Sequence, residues 1–479
     1  MENKNNTQKF PPVVAVLGHV DHGKTTLLDT FRKTSVAARE HGGITQKIGA
    51  STVEIKHEGV TRKITFIDTP GHEAFSKMRG RGAQAADICL LIVSSVDGVM
   101  PQTQESIQLI KASNLPYIAV LTKSDSDQKN PEKVKQQLIK DGVELEGYGG
   151  EVPVIEVSAK DNTNIRELLD LILLVWDLHS AKDVSSIGAL KAVVIESKQD
   201  PQSGAKATVV VKNGKISVRE DVVAGQITGR VRGLINDSGK QVPSASVGDA
   251  VEILGFDKAP DVGSVVTKKG DDLTEKTVNA EDAPQSRALK EGVISLILVA
   301  DTLGSLEAII GSLPPEKLNV VLKKTGEMTS ADILLAKSVG ALVLGFNIKI
   351  KPDIANLAST EKVLAKNYTI IYEMLEEITD AIEGKELSMQ EEVYGTAQIL
   401  ASFPFDKQIV MGVKVLEGRV AKGDKVRIER GEEVIGEGHI NSVRQGKDQT
   451  SKVEAGAEAG IIVGPALDFT IGDMVICHS

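Results

Sequence analysis

The chain has 479 residues, 41% of them hydrophobic and 25% charged, which is ordinary for a globular protein but too long for one core, so about three or four domains are expected. A formal net charge of −10 excludes a general electrostatic pull on nucleic acid, though not a localised contact. No apolar run approaches the ~18 residues of a membrane span, the N-terminus has no apolar signal core, and Cys89 and Cys477 lie in strand-like runs without metal-ligand spacing; a cytoplasmic protein with no membrane segment and no disulfide framework is expected.

Residues 1–10 are polar and read as a disordered tail. Residues 11–180 alternate β-like runs (VVAVL, KITFID, ICLLIVSS, YIAVLT, VPVIEVS) with helix-like segments, the rhythm of a parallel sheet covered by helices. Just after the first run stands GHVDHGKT: Gly18, His19, Val20, Asp21, His22, Gly23, Lys24 and Thr25. It matches G-x-x-x-x-G-K-[ST], with a strand before it and a helix, TTLLDTFRK from Thr25 and Thr26 onward, after it. Its backbone N–H groups can cradle phosphates, Lys24 can reach the β- and γ-phosphates, and the Thr25 hydroxyl can bind Mg²⁺.

Three later strand ends narrow the ligand. FIDTPGHE supplies Asp68 for the Mg²⁺ shell and Gly71, whose N–H can meet a γ-phosphate. LTKSD carries Thr122, Lys123 and Asp125; the Asp125 carboxylate can accept both N1–H and N2–H₂ of guanine, donors that adenine lacks, and Lys123 can lie over the base plane. SAK (Ser158, Ala159 and Lys160) suits a base-contacting loop. Four such motifs in order, at the C-terminal ends of strands, point to GTP rather than ATP.

Residues 185–268 hold short β-branched runs separated by turns and read as a β-barrel, 269–291 as a linker, and 292–370 as a smaller α/β unit. In that unit Asp301 and Gly304 stand in ADTLGS without a phosphate-loop spacing, and it reads as a spacer. Residues 371–390 space Ile371, Met374, Leu375, Ile378 and Ile382 helically and read as a connecting helix. Residues 391–479 return to a barrel pattern. NGKISVREDV (Asn213 to Val222) aligns without gaps with EGRVAKGDKV (Glu417 to Val426), which implies two barrels of one design. The expected fold class is multidomain α/β and β: P-loop GTPase domain, barrel, small α/β domain, connecting helix, second barrel.

With these motifs the chain resembles the translational GTPases, and among them the family of bacterial translation initiation factor two. The likeness is carried by HGGITQKIGA, FIDTPGHEAFSKMRGRGAQAADICLLIVSSVDGVMPQT, VVVKNGKI, GRVRGLINDSGKQV, LVADTLGSLEAI and GFNIK, and it runs through nearly the whole chain. The resemblance implies a ribosome-stimulated GTPase that uses GTP/GDP and Mg²⁺, meets the 30S and 50S subunits and initiator formylmethionyl-tRNA, and works as a monomer. It implies that Thr45 binds Mg²⁺ and senses the γ-phosphate, that His72 positions the attacking water, and that Val20 and Ile44 form an apolar gate over His72.

Departures from the family pattern accompany the likeness. The family usually carries a long charged N-terminal extension; about ten residues precede the P-loop strand here, so a short form is expected. Thr122 replaces the usual Asn of the base motif, for an expected discrimination cost of roughly 1 kcal/mol. In the last barrel, where the initiator-tRNA pocket of the family lies, GAEAG and VMGVK carry Ala459 and Val413 at the usual cysteine positions. Arg444 and Lys447 remain as phosphate candidates, in a domain with about ten Lys and Arg against about fourteen Asp and Glu. A weakened tRNA site on Met411, Gly412, Val413, Arg444, Lys447, Glu458, Ala459 and Gly460 is expected. The alternatives are a barrel that has lost the tRNA, a GTP-controlled scaffold with incidental hydrolysis, and a metabolic GTPase of the sulfate-activating kind.

Overall fold

The computed structural model describes residues 10–32, 45–57, 59–179, 188–270, 294–382, 393–405, 408–430, 433–445, 448–464 and 469–478. The expected tail before Phe10 and the expected linker beyond Gly270 lie outside them. The chain parts into two compact units, Met1–Gly384 and Lys385–Ser479.

The first unit opens with a six-stranded sheet in the order β2-β3-β1-β4-β5-β6, formed by β1 (Val13–Gly18), β2 (Gly49–His57), β3 (Val60–Asp68), β4 (Ile88–Ser94), β5 (Tyr117–Thr122) and β6 (Val154–Glu156). All neighbours are parallel except β2 and β3. The sheet is so apolar because both faces are covered. α1 (Lys24–Arg32) and α5 (Ile165–His179) pack Leu27, Leu28, Phe31, Leu168 and Ile172 on one side. α2 (Ser76–Ala85), α3 (Pro101–Ser113) and α4 (Pro131–Lys140) pack Ala83, Ile107, Ile110, Val134 and Leu138 on the other. The C-terminal ends of β1, β3 and β5 therefore gather along one edge, where ligands of such sheets bind.

Next come β7 (Lys191–Asp200), β8 (Gly204–Asn213), β9 (Lys215–Ser217), β10 (Asp221–Ala224), β11 (Ile227–Asn236), β12 (Gln241–Val242), β13 (Ser244–Ser246), β14 (Ala250–Phe256) and β15 (Val265–Lys268). The path β10-β15-β7-β8-β14-β11 closes through a β10–β11 pairing, which makes a barrel. It sits on the first sheet through Ile195, Val210 and Ala250, which meet Val13, Ile48, Ile67 and Ala85, and through a hydrogen bond of 2.7 Å from the Thr65 hydroxyl to the Gly248 carbonyl.

The smaller α/β part has a parallel sheet, β17-β16-β18-β19, made of β16 (Ile294–Ala300), β17 (Leu318–Thr325), β18 (Ala341–Phe346) and β19 (Ala365–Tyr368), with α6 (Leu303–Ser312), α7 (Ser330–Val339), α8 (Pro352–Glu361) and α9 (Ile371–Ile382). The stretch read as a connecting helix contributes to this core. Ile371, Met374 and Ile378 of α9 are buried with Leu296, Leu298 and Phe346, and Leu375 and Ile382 pack against the cluster. The same cluster takes in Phe75 and Met78 beside the first sheet, so the two α/β parts share a core.

The second unit holds β20 (Val393–Phe405), β21 (Gln408–Ala421), β22 (Lys425–Arg430), β23 (Glu433–Gln445), β24 (Asp448–Thr450), β25 (Lys452–Glu454), β26 (Glu458–Gly464) and β27 (Met474–His478). The path β20-β27-β22-β23-β26-β21 closes through β20–β21 into another barrel. The ten-residue repeat is a shared turn design. Gly214 and Gly418 both take positive φ, 69° and 66°. The Glu220 carboxylate accepts from Ser217 N, as the Asp424 carboxylate does from Ala421 N, and Arg219 N and Gly423 N donate to the carbonyls of Val231 and Ile440. The multidomain α/β and β architecture is the one expected.

Candidate active site

β1 is wholly buried and ends at Gly18, where a Cβ would strike the Ile92 carbonyl, so only glycine lets the chain leave the sheet there. The loop turns through Asp21 and Gly23, both at positive φ, and α1 begins at Lys24. Lys24 is buried, its ammonium donating to the carbonyls of Gly18 at 3.0 Å and His19 at 2.6 Å. Burial pulls its pKa down to about 8, against the opposing charge of Asp68. His22 is buried and edge-on to His19, with ring centres 5.0 Å apart, and desolvation holds it neutral with a pKa of about 4.

The far wall comes from β3 and the segment before β2. Thr69 fastens the DTPGH loop to β1 through a 2.7 Å bond to the Val16 carbonyl. A Cβ on Gly71 would lie 2.5 Å from the Lys24 Nζ and 3.0 Å from Val20 N, so a side chain here would push the ammonium aside and crowd the phosphate-side backbone. The hydroxyls of Thr25 and Thr45 stand 2.5 Å apart, and Asp68 is buried at the end of β3. Two hydroxyls and one carboxylate are hard oxygen donors, and a single protein carboxylate suits Mg²⁺, which keeps waters and phosphate oxygens for its other positions. A cavity of about 200 Å³ is lined by Val20, Lys24, Thr25, Thr26, Thr45, Gln46, Gly71, His72 and Tyr372, together with Asp21 and Gly23.

His72 accepts a 2.8 Å bond from Ala74 N at Nδ1, which puts its ring proton on Nε2. Burial first, then the charge of Arg79, lowers its pKa to about 4, so the ring is neutral near pH 7. Arg79 is wholly buried; it donates to the carbonyls of Pro70 and His72 and pairs with Glu105 at 2.5 Å. This guanidinium fixes the loop that carries Gly71 and His72. The motifs held no sign of it, nor of Gln102, whose side chain receives Val20 N at 3.0 Å.

The residues expected to face the base form a second cluster. Asp125 accepts the Ser158 hydroxyl at 2.7 Å, Asp161 N closes onto the same hydroxyl, and the Lys160 ammonium lies 3.9 Å from the carboxylate. The Ser158 bond is the main reason the Asp125 pKa is lowered. Ala159 is half-buried between these two. Lys123, at positive φ, pairs with Asp97 at 2.9 Å. Thr122 is buried with its hydroxyl on the His22 carbonyl at 2.7 Å.

In the second unit, register assembles a separate site. Gly412, Val413 and Lys414 of β21 face Gly460, Ala459 and Glu458 of β26, and Arg444 of β23 faces Gly460 from the other side. A cavity of about 390 Å³ there is lined by Leu400, Phe403, Gly412, Val413, Arg444, Glu458, Ala459 and Gly460, among others. Met411 is not among its lining; it is buried in the barrel core with Ile399 and Val475. Ile44 and Lys447 lie outside the described residues.

A family model described as Elongation factor Tu GTP binding domain matches residues 11–176, one described as Elongation factor G domain 2 matches 189–269, and one described as Translation-initiation factor 2 matches 269–379. Proteins named Translation initiation factor IF-2 from Carboxydothermus hydrogenoformans, Aquifex aeolicus and Dehalococcoides mccartyi are 41%, 40% and 39% identical to the chain over 99%, 98% and 99% of it. The chain spans 60%, 61% and 83% of their respective lengths. Among solved structures, GDP-bound aIF5B from Aeropyrum pernix is similar at a TM-score of 0.45 and 26% identity, covering 98% of this chain and 92% of that one.

Proposed function

The chain belongs to the translation initiation factor IF-2 family, and on that premise we propose that it binds GTP and hydrolyses it when the ribosome stimulates it, promoting initiator formylmethionyl-tRNA placement and subunit joining. The observation that carries this reading is the convergence of Lys24, Thr25, Thr45, Gly71 and His72 on one cavity at the end of the sheet.

In this reading the loop from Gly18 to Thr25 cradles the α- and β-phosphates, and Lys24 leaves its two carbonyl partners for the β- and γ-phosphate oxygens. Thr25, Thr45 and Asp68 would hold Mg²⁺, which when bound would offset the charge of the phosphate oxygens. Gly71 N–H meets the γ-phosphate, and Asp125 selects guanine. His72 is neutral and carries its proton on Nε2, so it acts by donating a hydrogen bond that orients the attacking water or its transition state, and does not remove a proton. Val20 lines the same cavity, which supports the gate assigned to it. The second barrel takes the formyl-methionyl ester and terminal adenosine in the cavity between Val413 and Arg444. The protein works as a cytoplasmic monomer on the 30S and 50S subunits.

A second reading, in which the barrel keeps its fold and has lost the tRNA, is favoured by the largely apolar lining, where Arg444 is the one basic side chain among the described lining residues. The functional test is GTP turnover by the full chain alone and with 30S and 50S subunits, with and without formylated initiator tRNA. Stimulation on the order of 10⁵ is expected. Absence of stimulation would leave a GTP-controlled scaffold.

A further inference from the structure

The first turn of α9 makes two contacts with the nucleotide cavity that none of the motifs account for. Gln46 follows Thr45 directly. Its amide donates to the Thr369 carbonyl at 2.8 Å and its carbonyl oxygen accepts from Ile371 N at 3.0 Å. The side chain is thus clasped at both ends by backbone, and Ile371 N, a donor left over at the start of the helix, has its acceptor. One residue on, the Tyr372 ring lies 3.9 Å from the His72 ring, centre to centre and steeply inclined at 63°. Both Gln46 and Tyr372 line the cavity alongside Lys24, Thr25, Thr45, Gly71 and His72.

These contacts stand on a fixed base. Ile371, Met374 and Ile378 anchor α9 in the cluster that also buries Phe75 and Met78, which directly follow the turn carrying His72. His72 itself has one hydrogen bond at Nδ1, from Ala74 N, and that single bond is all that this contact sets against a swing of the ring about its Cβ–Cγ bond. The Tyr372 ring blocks that swing from the other side. Thr45 likewise gains a tether one residue away while its hydroxyl meets Thr25.

We propose that Tyr372 and Gln46 are positioning residues of the nucleotide site: Tyr372 fixes the His72 imidazole for hydrolysis, and Gln46 holds Thr45 against Thr25 for the triphosphate state. This rests on the GTPase reading. Tyr372 is half-exposed and its contact is made by the ring, so a phenylalanine should serve as well.

The test compares the full-length protein with Tyr372→Ala, Tyr372→Phe and Gln46→Ala. Single-turnover GTP hydrolysis with ribosomes is one readout; affinity for fluorescent GTP and GDP analogues is the other. Tyr372→Ala should slow hydrolysis roughly tenfold, because small displacements of a positioned group cost rate steeply, with GTP affinity unchanged within about twofold, and Tyr372→Phe should restore the rate. Gln46→Ala should weaken GTP binding several-fold while sparing GDP, since Thr45 engages only the triphosphate. A Tyr372→Ala rate at or above wild type, a Tyr372→Phe rate as low as that of Tyr372→Ala, or an equal loss of GTP and GDP in Gln46→Ala would overturn the proposal. Failure of the wild-type protein to hydrolyse GTP on ribosomes would instead overturn the functional reading, and the GTP-against-GDP comparison would still judge Gln46.

Discussion

The hydroxyl of Thr122 donates to the carbonyl of His22 at 2.7 Å, tying the end of β5 to the phosphate loop across a hundred residues of sequence. Thr122 thereby acts on the loop's shape before it acts on the base. Thr122→Val keeps the volume but strips a buried carbonyl of its donor, a change of about 1–3 kcal/mol. The expected result is a loss of affinity for GTP and GDP alike, by about fivefold or more, with the ratio of GTP to ATP affinity unchanged. Equilibrium titration with all three nucleotides measures it; a changed GTP/ATP ratio at constant GDP affinity would return Thr122 to the base.

Lys24 carries a pH dependence whose sign can be worked out. Burial lowers its pKa to about 8 in the free protein, and phosphates placed beside it would raise that value. Affinity should then be flat below about pH 8 and fall as pH rises beyond it, by up to tenfold per unit, because binding must take up a proton. Calorimetry at pH 8.5 in buffers of different ionisation enthalpy should register proton uptake. Uptake of none would mean that the amine is already charged when free.

His72→Ala should leave nucleotide affinity intact and lower ribosome-stimulated hydrolysis at least a hundredfold, on the order of 3 kcal/mol in the barrier. Its depressed pKa of about 4 means that the imidazole stays neutral from pH 8 down to well below 6. Protonation of His72 should therefore produce no acidic limb near pH 6.5 in the stimulated rate. A limb there in the wild type would show a ring far more exposed than the packed one.

Much of this site was legible in the sequence because phosphate loops are local. Residues from Gly18 to Thr25 define their own turn, and the sheet brings Asp68, Thr122 and Ser158 to the same edge as Gly18 whatever the rest of the chain does. The barrel repeat was readable for the same reason, since Glu220 and Asp424 each close a turn within three residues. Contacts fixed by tertiary packing were not readable. Gln46 meets Ile371 across 325 positions, and no spacing rule predicts that. Thr122 was read as facing the base because a motif names a residue and not the partner its hydroxyl will find. Met411 and Val413 were grouped with Gly412, yet alternation along β21 turns both side chains into the core while Gly412 approaches Phe403 and Ala401.

Glu196 is a carboxyl buried where the first barrel, α2 and α6 meet. It accepts from Ser197 N at 2.9 Å and from Gly304 N at 3.4 Å, and its Oε2 has no hydrogen-bond partner among the described residues. Desolvation raises its pKa from 4.5 to about 7. A raised carboxyl pKa means that the folded state holds the proton longer, so its contribution to stability is unaffected below about pH 4.5 and is lost as pH rises through about 7. The loss at pH 8 is on the order of 3 kcal/mol. Glu196→Gln keeps the shape without the charge, and should melt higher than wild type at pH 8 with a smaller gap at pH 5.5. Equal gaps at both pH values would place the ionised carboxylate in contact with solvent.

The cavity of the second barrel sets two different demands, one of charge and one of shape. Arg444 is exposed at its rim and is the one basic side chain among the described lining residues, whereas Val413, Ala459 and Gly460 make a neutral wall where three strands meet. A phosphate held by one arginine adds about one unit to the dependence of log affinity on log salt, so Arg444→Ala should weaken initiator tRNA and flatten that slope by about one. It should do so equally for formylated and unformylated tRNA, because a phosphate contact carries no information about the amino acid. Gly460 sits opposite Gly412 on the cavity face, where a Cβ would meet Val410 Cγ1 at 3.0 Å, so Gly460→Phe would fill the cavity itself. That variant should erase the preference for formylmethionyl over uncharged tRNA while leaving the salt slope alone. Filter binding of the full chain to formylated, unformylated and uncharged initiator tRNA at several salt concentrations separates the two effects. Wild-type affinity equal for all three species, or absent for all, would mean that this barrel retains the fold of its family without the tRNA.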